Sequence, residues 1–92
     1  MLLKIPKERL DAYLRDNEDC EALSEDEYVA DLYDIEPPVT VNFRLTAKGV
    51  EVLAAARLLY DEEQDGWYMG ERIEDEEGLT QAFLRAMELS GV

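Results

Sequence analysis

The sequence predicts a helix-rich α+β domain with about four helices and a minimal two-stranded sheet. Three observations predict it. Apolar residues recur at helical spacing near both ends of the chain, an alanine-rich apolar run fills the middle, and the segment 39–45 alternates apolar with polar residues.

Taken in order, Pro6 suits the first turn of a helix over about 6–16, in which Leu10, Tyr13 and Leu14 share a face. Ser24-Glu25-Asp26-Glu27 has the form of a capping box ahead of Tyr28, Val29, Leu32 and Tyr33, which predicts a second helix over about 25–34. Pro37-Pro38 ends it. Val39, Val41, Phe43 and Leu45 then alternate with Thr40, Asn42, Arg44 and Thr46, the period of a half-buried strand. From Lys48 to about Glu62 the run centred on Val52-Leu53-Ala54-Ala55-Ala56 is too long and too rich in alanine for a strand by propensity, and predicts the central buried helix. Asp65-Gly66 stops that helix, and Trp67-Tyr68-Met69, bounded by Gly66 and Gly70, forms a short second strand. The last helix, about 76–89, gathers Leu79, Ala82, Phe83, Ala86 and Met87 on one face and ends at Ser90-Gly91. Leu53 and Phe83 are expected at the centre of the core, with the Leu53 helix packed on the 39–45 strand.

Ninety-two residues, 47% of them hydrophobic, suffice for one acidic α+β domain spanning 1–92 with a core of its own. A single cysteine, Cys20, rules out an intrachain disulfide and points to a reducing compartment. The first residues lack the apolar run of a signal peptide, and no stretch reaches the roughly 18 apolar residues of a membrane span, so a cytoplasmic location is expected.

Charge is the strongest functional signal. Nineteen of the 23 acidic residues lie in two blocks, 16–36 and 61–77, and the net charge is −14. The first block contains no Lys or Arg and the second only Arg72, whereas Lys4, Lys7, Arg9 and Arg15 make the first fifteen residues locally basic. Segregated like charge costs stability and gains its use in association, so the expected partner is a basic protein or nucleoprotein complex. Direct contact with nucleic acid or an anionic membrane is opposed by repulsion. The candidate partner-binding residues are Glu25, Glu27, Asp31 and Asp34, of which the last three fall at i, i+4, i+7 as a ridge on the predicted second helix, together with Glu62, Glu63, Asp65, Glu74, Asp75, Glu76 and Glu77.

No catalytic residue, metal ligand set or cofactor is expected. Histidine is absent, which removes imidazole-based metal sites and histidine-activated nucleophiles. Cys20 sits among Glu18, Asp19 and Glu21, whose charges disfavour a thiolate. Asp61-Glu62-Glu63-Gln64-Asp65-Gly66 resembles the opening of an EF-hand calcium loop, but Arg72 stands at the closing position where that family needs a bidentate carboxylate. Phe43 to Leu53 resembles the stretch of winged-helix regulators that leads from wing strand to helix; with no basic recognition helix before it, only a local strand-to-helix connection carries over.

In its length, its lack of catalytic machinery and its acidic blocks around Glu25–Asp34 and Asp61–Glu77, the chain resembles the small acidic phage-encoded inhibitors that include anti-CRISPR proteins and DNA mimics. That resemblance implies a non-catalytic inhibitor that occupies the nucleic-acid channel of a bacterial defence complex, such as a CRISPR effector. The alternative is an accessory or structural protein of an acid-rich, salt-adapted proteome whose partner contact is apolar, through Tyr13, Tyr28, Tyr33 or Trp67, and a calcium-binding module is a third reading.

Overall fold

The computed structural model describes residues 1–91, and its dominant element is a strand where the sequence predicts the central helix. In chain order the elements are β1 (Leu2–Leu3), α1 (Lys7–Asp16), β2 (Cys20–Ala22), β3 (Glu27–Leu32), β4 (Val39–Thr46), β5 (Gly49–Asp61), β6 (Gly66–Arg72) and α2 (Glu76–Leu89). All pairings are antiparallel, in the order β1-β5-β4-β3-β2, with β6 joined to β5 as well. The fold is therefore two helices on a six-stranded sheet, and the expectation of a helix-rich domain with a minimal sheet is overturned.

Two predicted helices become strands for identifiable reasons. In 27–32 the spacing of four between Tyr28 and Leu32 fits a strand as well as a helix, because four is a multiple of the strand period and close to one helical turn. The register decides between them: Tyr28, Ala30 and Leu32 stand opposite Phe43, Val41 and Val39 of β4, on the face that carries the core. The capping-box residues instead close the β2–β3 connection, where the backbone N–H groups of Leu23 and Ser24 both donate to the Glu27 carbonyl.

In β5 the alanine run is overridden by pairing on both edges. Thr46 and Gly49 face each other across the two-residue connection Ala47-Lys48, so Leu45 lies opposite Val50 and Phe43 opposite Val52. The winged-helix-like strand-to-helix connection is thus a strand-to-strand hairpin. Its turn residues lack the Asn-Gly signature that marks such loops, which hides the hairpin from sequence. At Asn42/Phe43 the register shifts: Phe43 faces Val52 and Asn42 faces Ala54, leaving Leu53 as the extra residue of a bulge. Strand alternation from Val50 and Val52 already turns Leu53 outward, 37% exposed and so outside the expected core, and the bulge returns Ala55 to the buried face.

Helices α1 and α2 and strand β4 lie where the sequence predicts them, β6 extends the expected 67–69 strand, and β1 and β2 were not expected. Helix α1 starts after Pro6, whose carbonyl accepts from the Leu10 N–H at 3.0 Å, and buries Leu10 and Tyr13. Helix α2 buries Leu79, Phe83, Ala86 and Met87. Both helices share one apolar cluster with Leu3, Ile5, Val41, Phe43 and Val50, within which Phe43 and Phe83 meet edge to face at 5.4 Å. Strand β1 enters this cluster through Leu3, beside Val50. Gly49 makes that approach possible: its φ is +143°, and a Cβ there would stand 2.5 Å from the Leu3 carbonyl oxygen.

Past Leu58, whose N–H still bonds the Pro38 carbonyl, β5 leaves β4 behind and continues with β6 alone as a two-stranded arm.

Gly49→Ala is expected to lower stability by about 1–3 kcal/mol in urea unfolding, because it forces a strained backbone angle and displaces β1; a wild-type midpoint counts against the close approach. Phe83→Ala is expected to cost about 3–5 kcal/mol, and Leu53→Ala well under half of that because the side chain is already partly exposed. Equal losses in the two variants would place Leu53 in the core after all.

Candidate functional site

The fold disperses the acidic blocks and then concentrates one part of each. Glu25 lies in the β2–β3 connection. Glu27 and Asp31 both lie on β3, about 13 Å apart at the usual strand rise, and Asp34 follows the strand in a turn. The expected helical ridge of Glu27, Asp31 and Asp34 therefore does not form. Glu27 faces Arg44 across the ladder, and Arg44 also lies 3.8 Å from both Asp26 and Glu51, so this part of the first block is neutralised in part. Asp31 accepts a 2.6 Å hydrogen bond from the Thr40 hydroxyl.

Asp34 instead joins residues from the other end of the first block. Asp16, Glu18, Asp19 and Asp34 surround a shallow concavity with Tyr13, Asn17 and Ser90, and no Lys or Arg lines it. The Asp31 N–H donates to the Asp19 carbonyl at 3.0 Å, which ties the end of β3 to this group. Partial desolvation raises the Asp19 carboxyl above its ordinary range, and the charges of Asp34, Asp31 and Glu18 push it the same way. Burial raises the Tyr13 hydroxyl too, with Cys20, Asp34 and Asp19 adding to it. Cys20 is pushed up to about 12 by burial and then by Asp19 and Asp31, so its thiol stays protonated at neutral pH.

The second block divides between the tip and the root of the β5–β6 arm. Asp61-Glu62-Glu63-Gln64-Asp65-Gly66, the segment that resembles half a calcium loop, is the hairpin turn. The Asp61 carboxylate accepts from the backbone N–H groups of Glu63 at 2.9 Å and Gln64 at 3.4 Å, Asp65 has a φ of +51°, and the Tyr60 hydroxyl donates to Asp65. Glu62, Glu63 and Asp65 thus crown the tip. Among the described residues no group of three or more carboxylate or thiol side chains is placed to hold a metal ion. At the root, Glu74 and Asp75 share a broad cleft with Asp34, Glu36 and Glu71 and with Arg57, Arg72 and Arg85, so both signs of charge line it. Glu76 and Glu77 occupy the first turn of α2, beside Lys4.

Sequence reasoning named Tyr33 and Trp67 as candidate apolar contacts but missed the surface between tip and root that they form with Tyr60 and Met69. Trp67 stands opposite Tyr60 across the arm, and its ring lies 5.2 Å from both Tyr60 and Tyr33. Trp67 is 47% exposed and Met69 71%, and Leu59 and Tyr68 on the same arm are also exposed. Of the four aromatic residues expected as apolar contacts, Tyr13 is buried and Tyr28 stacks on Phe43 at 5.7 Å, so both belong to the core region; Tyr33 and Trp67 are exposed and touch. Three apolar residues in a row at 67–69 were the available signal, since a strand with one buried face does not need apolar residues on both.

The chain matches no protein-family model, and neither curated proteins nor solved structures yield a match. Among the described residues no helix is long and apolar enough to cross a membrane.

Asp19 gives a test of the crowded carboxylates. A raised folded-state pKa makes the ionised form the disfavoured one, so this group's contribution to stability is greatest below its unfolded pKa and falls as pH rises through the folded value. Asp19→Asn, uncharged at every pH, is expected to raise the melting temperature at pH 7 in low salt and to raise it less in about 1 M salt. Thermal melts at the two ionic strengths check this; an unchanged or lower midpoint in low salt would show that the cluster is not repulsive.

Proposed function

We propose that the chain is a non-catalytic inhibitor that presents an acidic, nucleic-acid-like surface to a basic nucleic-acid-handling protein, in the manner of anti-CRISPR proteins, and that it acts in the cytoplasm. The observation that carries this reading is the group of Asp16, Glu18, Asp19 and Asp34, held around one concavity without a cation among the residues that line it. Carboxylates brought together by a folded scaffold cost stability, and a cationic partner recovers that cost on binding. The crown of Glu62, Glu63 and Asp65 at the arm tip adds a second anionic surface that projects from the body.

A second reading has an observation of its own. The exposed contact of Tyr33 with Trp67 favours an accessory protein that meets its partner through apolar surface.

Capture from a bacterial lysate, repeated at about 0.1 M and 1 M salt and with duplex DNA or structured RNA as competitor, separates the two. The inhibitor reading expects a nucleic-acid-handling protein that is released both by salt and by nucleic acid. Capture that is indifferent to both supports the accessory reading and sinks mimicry.

A further inference from the structure

Among the described residues, six of the ten exposed large hydrophobic ones, namely Tyr33, Leu59, Tyr60, Trp67, Tyr68 and Met69, belong to the β5–β6 arm or touch it. Strand alternation puts Tyr60, Trp67 and Met69 on one face of the arm, where Tyr33 meets Trp67, and Leu59 and Tyr68 on the other. The exposed aromatic face of Tyr33, Trp67 and Tyr60 on a small acidic chain marks a contact site. Its setting specifies the occupant. Asp65 accepts from the Tyr60 hydroxyl at one end of the aromatic group. At the other end Tyr33 is tied to Asp31, its N–H donating to the Asp31 carbonyl at 3.1 Å, and the Tyr33 hydroxyl is raised by burial and then by the charges of Asp31 and Asp19. Aromatic faces between carboxylates suit a planar cation, since the guanidinium stacks on the rings while its N–H groups reach the acids. Strand β6 pairs with β5 on one edge and with no other described strand, so its outer edge can take an extended segment.

A second copy of this chain fits the same edge less well. Two-fold pairing of β6 with itself sets the tip carboxylates Glu62, Glu63 and Asp65 of each copy against the Glu71–Asp75 stretch of the other.

We infer that the Tyr33–Trp67–Tyr60 face of the arm docks an extended, arginine-bearing segment of the partner protein, with an arginine side chain stacked on Trp67 and held by the flanking carboxylates. This rests on the reading of the partner as basic, and gives that partner an anchor that nucleic acid itself does not offer.

Trp67 is the only tryptophan, so its fluorescence reports this site alone. The probes are nona-arginine and nona-lysine peptides, titrated into the full chain and into Trp67→Leu, which keeps an apolar side chain but has no ring. Urea unfolding of the variant alongside verifies its fold. Nona-arginine is expected to bind more tightly than nona-lysine, to change the Trp67 emission on binding, and to bind the folded variant about fivefold more weakly. Salt-sensitive binding with no emission change, or with equal affinity in the variant, overturns the arm site and leaves the acidic reading standing. Absence of salt-sensitive binding to either peptide overturns both. A reversible dimer in sedimentation, with Trp67 emission changing with protein concentration, also overturns the inference, because a second copy then occupies the arm.

Discussion

Strand β5 is the constraint on which the molecule depends, because thirteen residues of one strand serve three partners. Its first part pairs with β4 along one edge and with β1 along the other, and its last part pairs with β6. Of the three buried positions of this strand, Val50 and Ala55 lie in the same cluster as Phe43 and Phe83, so the sheet and the helices are held by one set of contacts. Ala55 is buried in that cluster, and that is a use for alanine which has nothing to do with helix propensity. The bulge at Leu53 lets one strand keep apolar residues inward on both sides of an irregularity.

Legibility from sequence followed the local signals. Helices α1 and α2 and strand β4 each carry one unambiguous period, and Pro6, Pro37-Pro38 and Ser90-Gly91 punctuate them, so their bounds were readable. Strand β3 was not, because Tyr28 and Leu32 satisfy two periods at once and Ser24 to Glu27 imitates a helix start. Strand β5 was not, because its conformation is decided by partners distant in sequence: β1 begins the chain, and the β4 register depends on a turn without the usual residues. The charge blocks were visible as blocks, but which carboxylates meet depends on tertiary placement. Asp34 left its expected neighbours on β3 for Asp16, Glu18 and Asp19. The aromatic face of the arm needed the β5–β6 pairing before Tyr60 and Trp67 could be seen as one surface.

Charge and apolar surface are arranged in complement. The core has no buried charged residue among those described, so the acidic residues themselves lie outside it. Burial first, and the charges of nearby carboxylates after it, shift Asp19, Tyr13, Tyr33 and Cys20 each toward its neutral form. A surface of this kind resists self-association by repulsion while attracting cations, and the exposed rings on the arm limit where a partner can make apolar contact.

The division of β5 between two environments also grades its stability along its length. Residues 50–57 are held along one edge by β4, with second partners at residues 50, 51 and 56, so their paired amide hydrogens are expected to exchange with solvent more slowly than those of the arm. Residues 59–61 have a strand partner on one edge alone, and their amides exchange through separation of the arm with the body intact. A single continuous strand thus belongs to two cooperative units, and the Tyr33–Trp67 contact, made between the turn after β3 and the arm, couples one unit to the other.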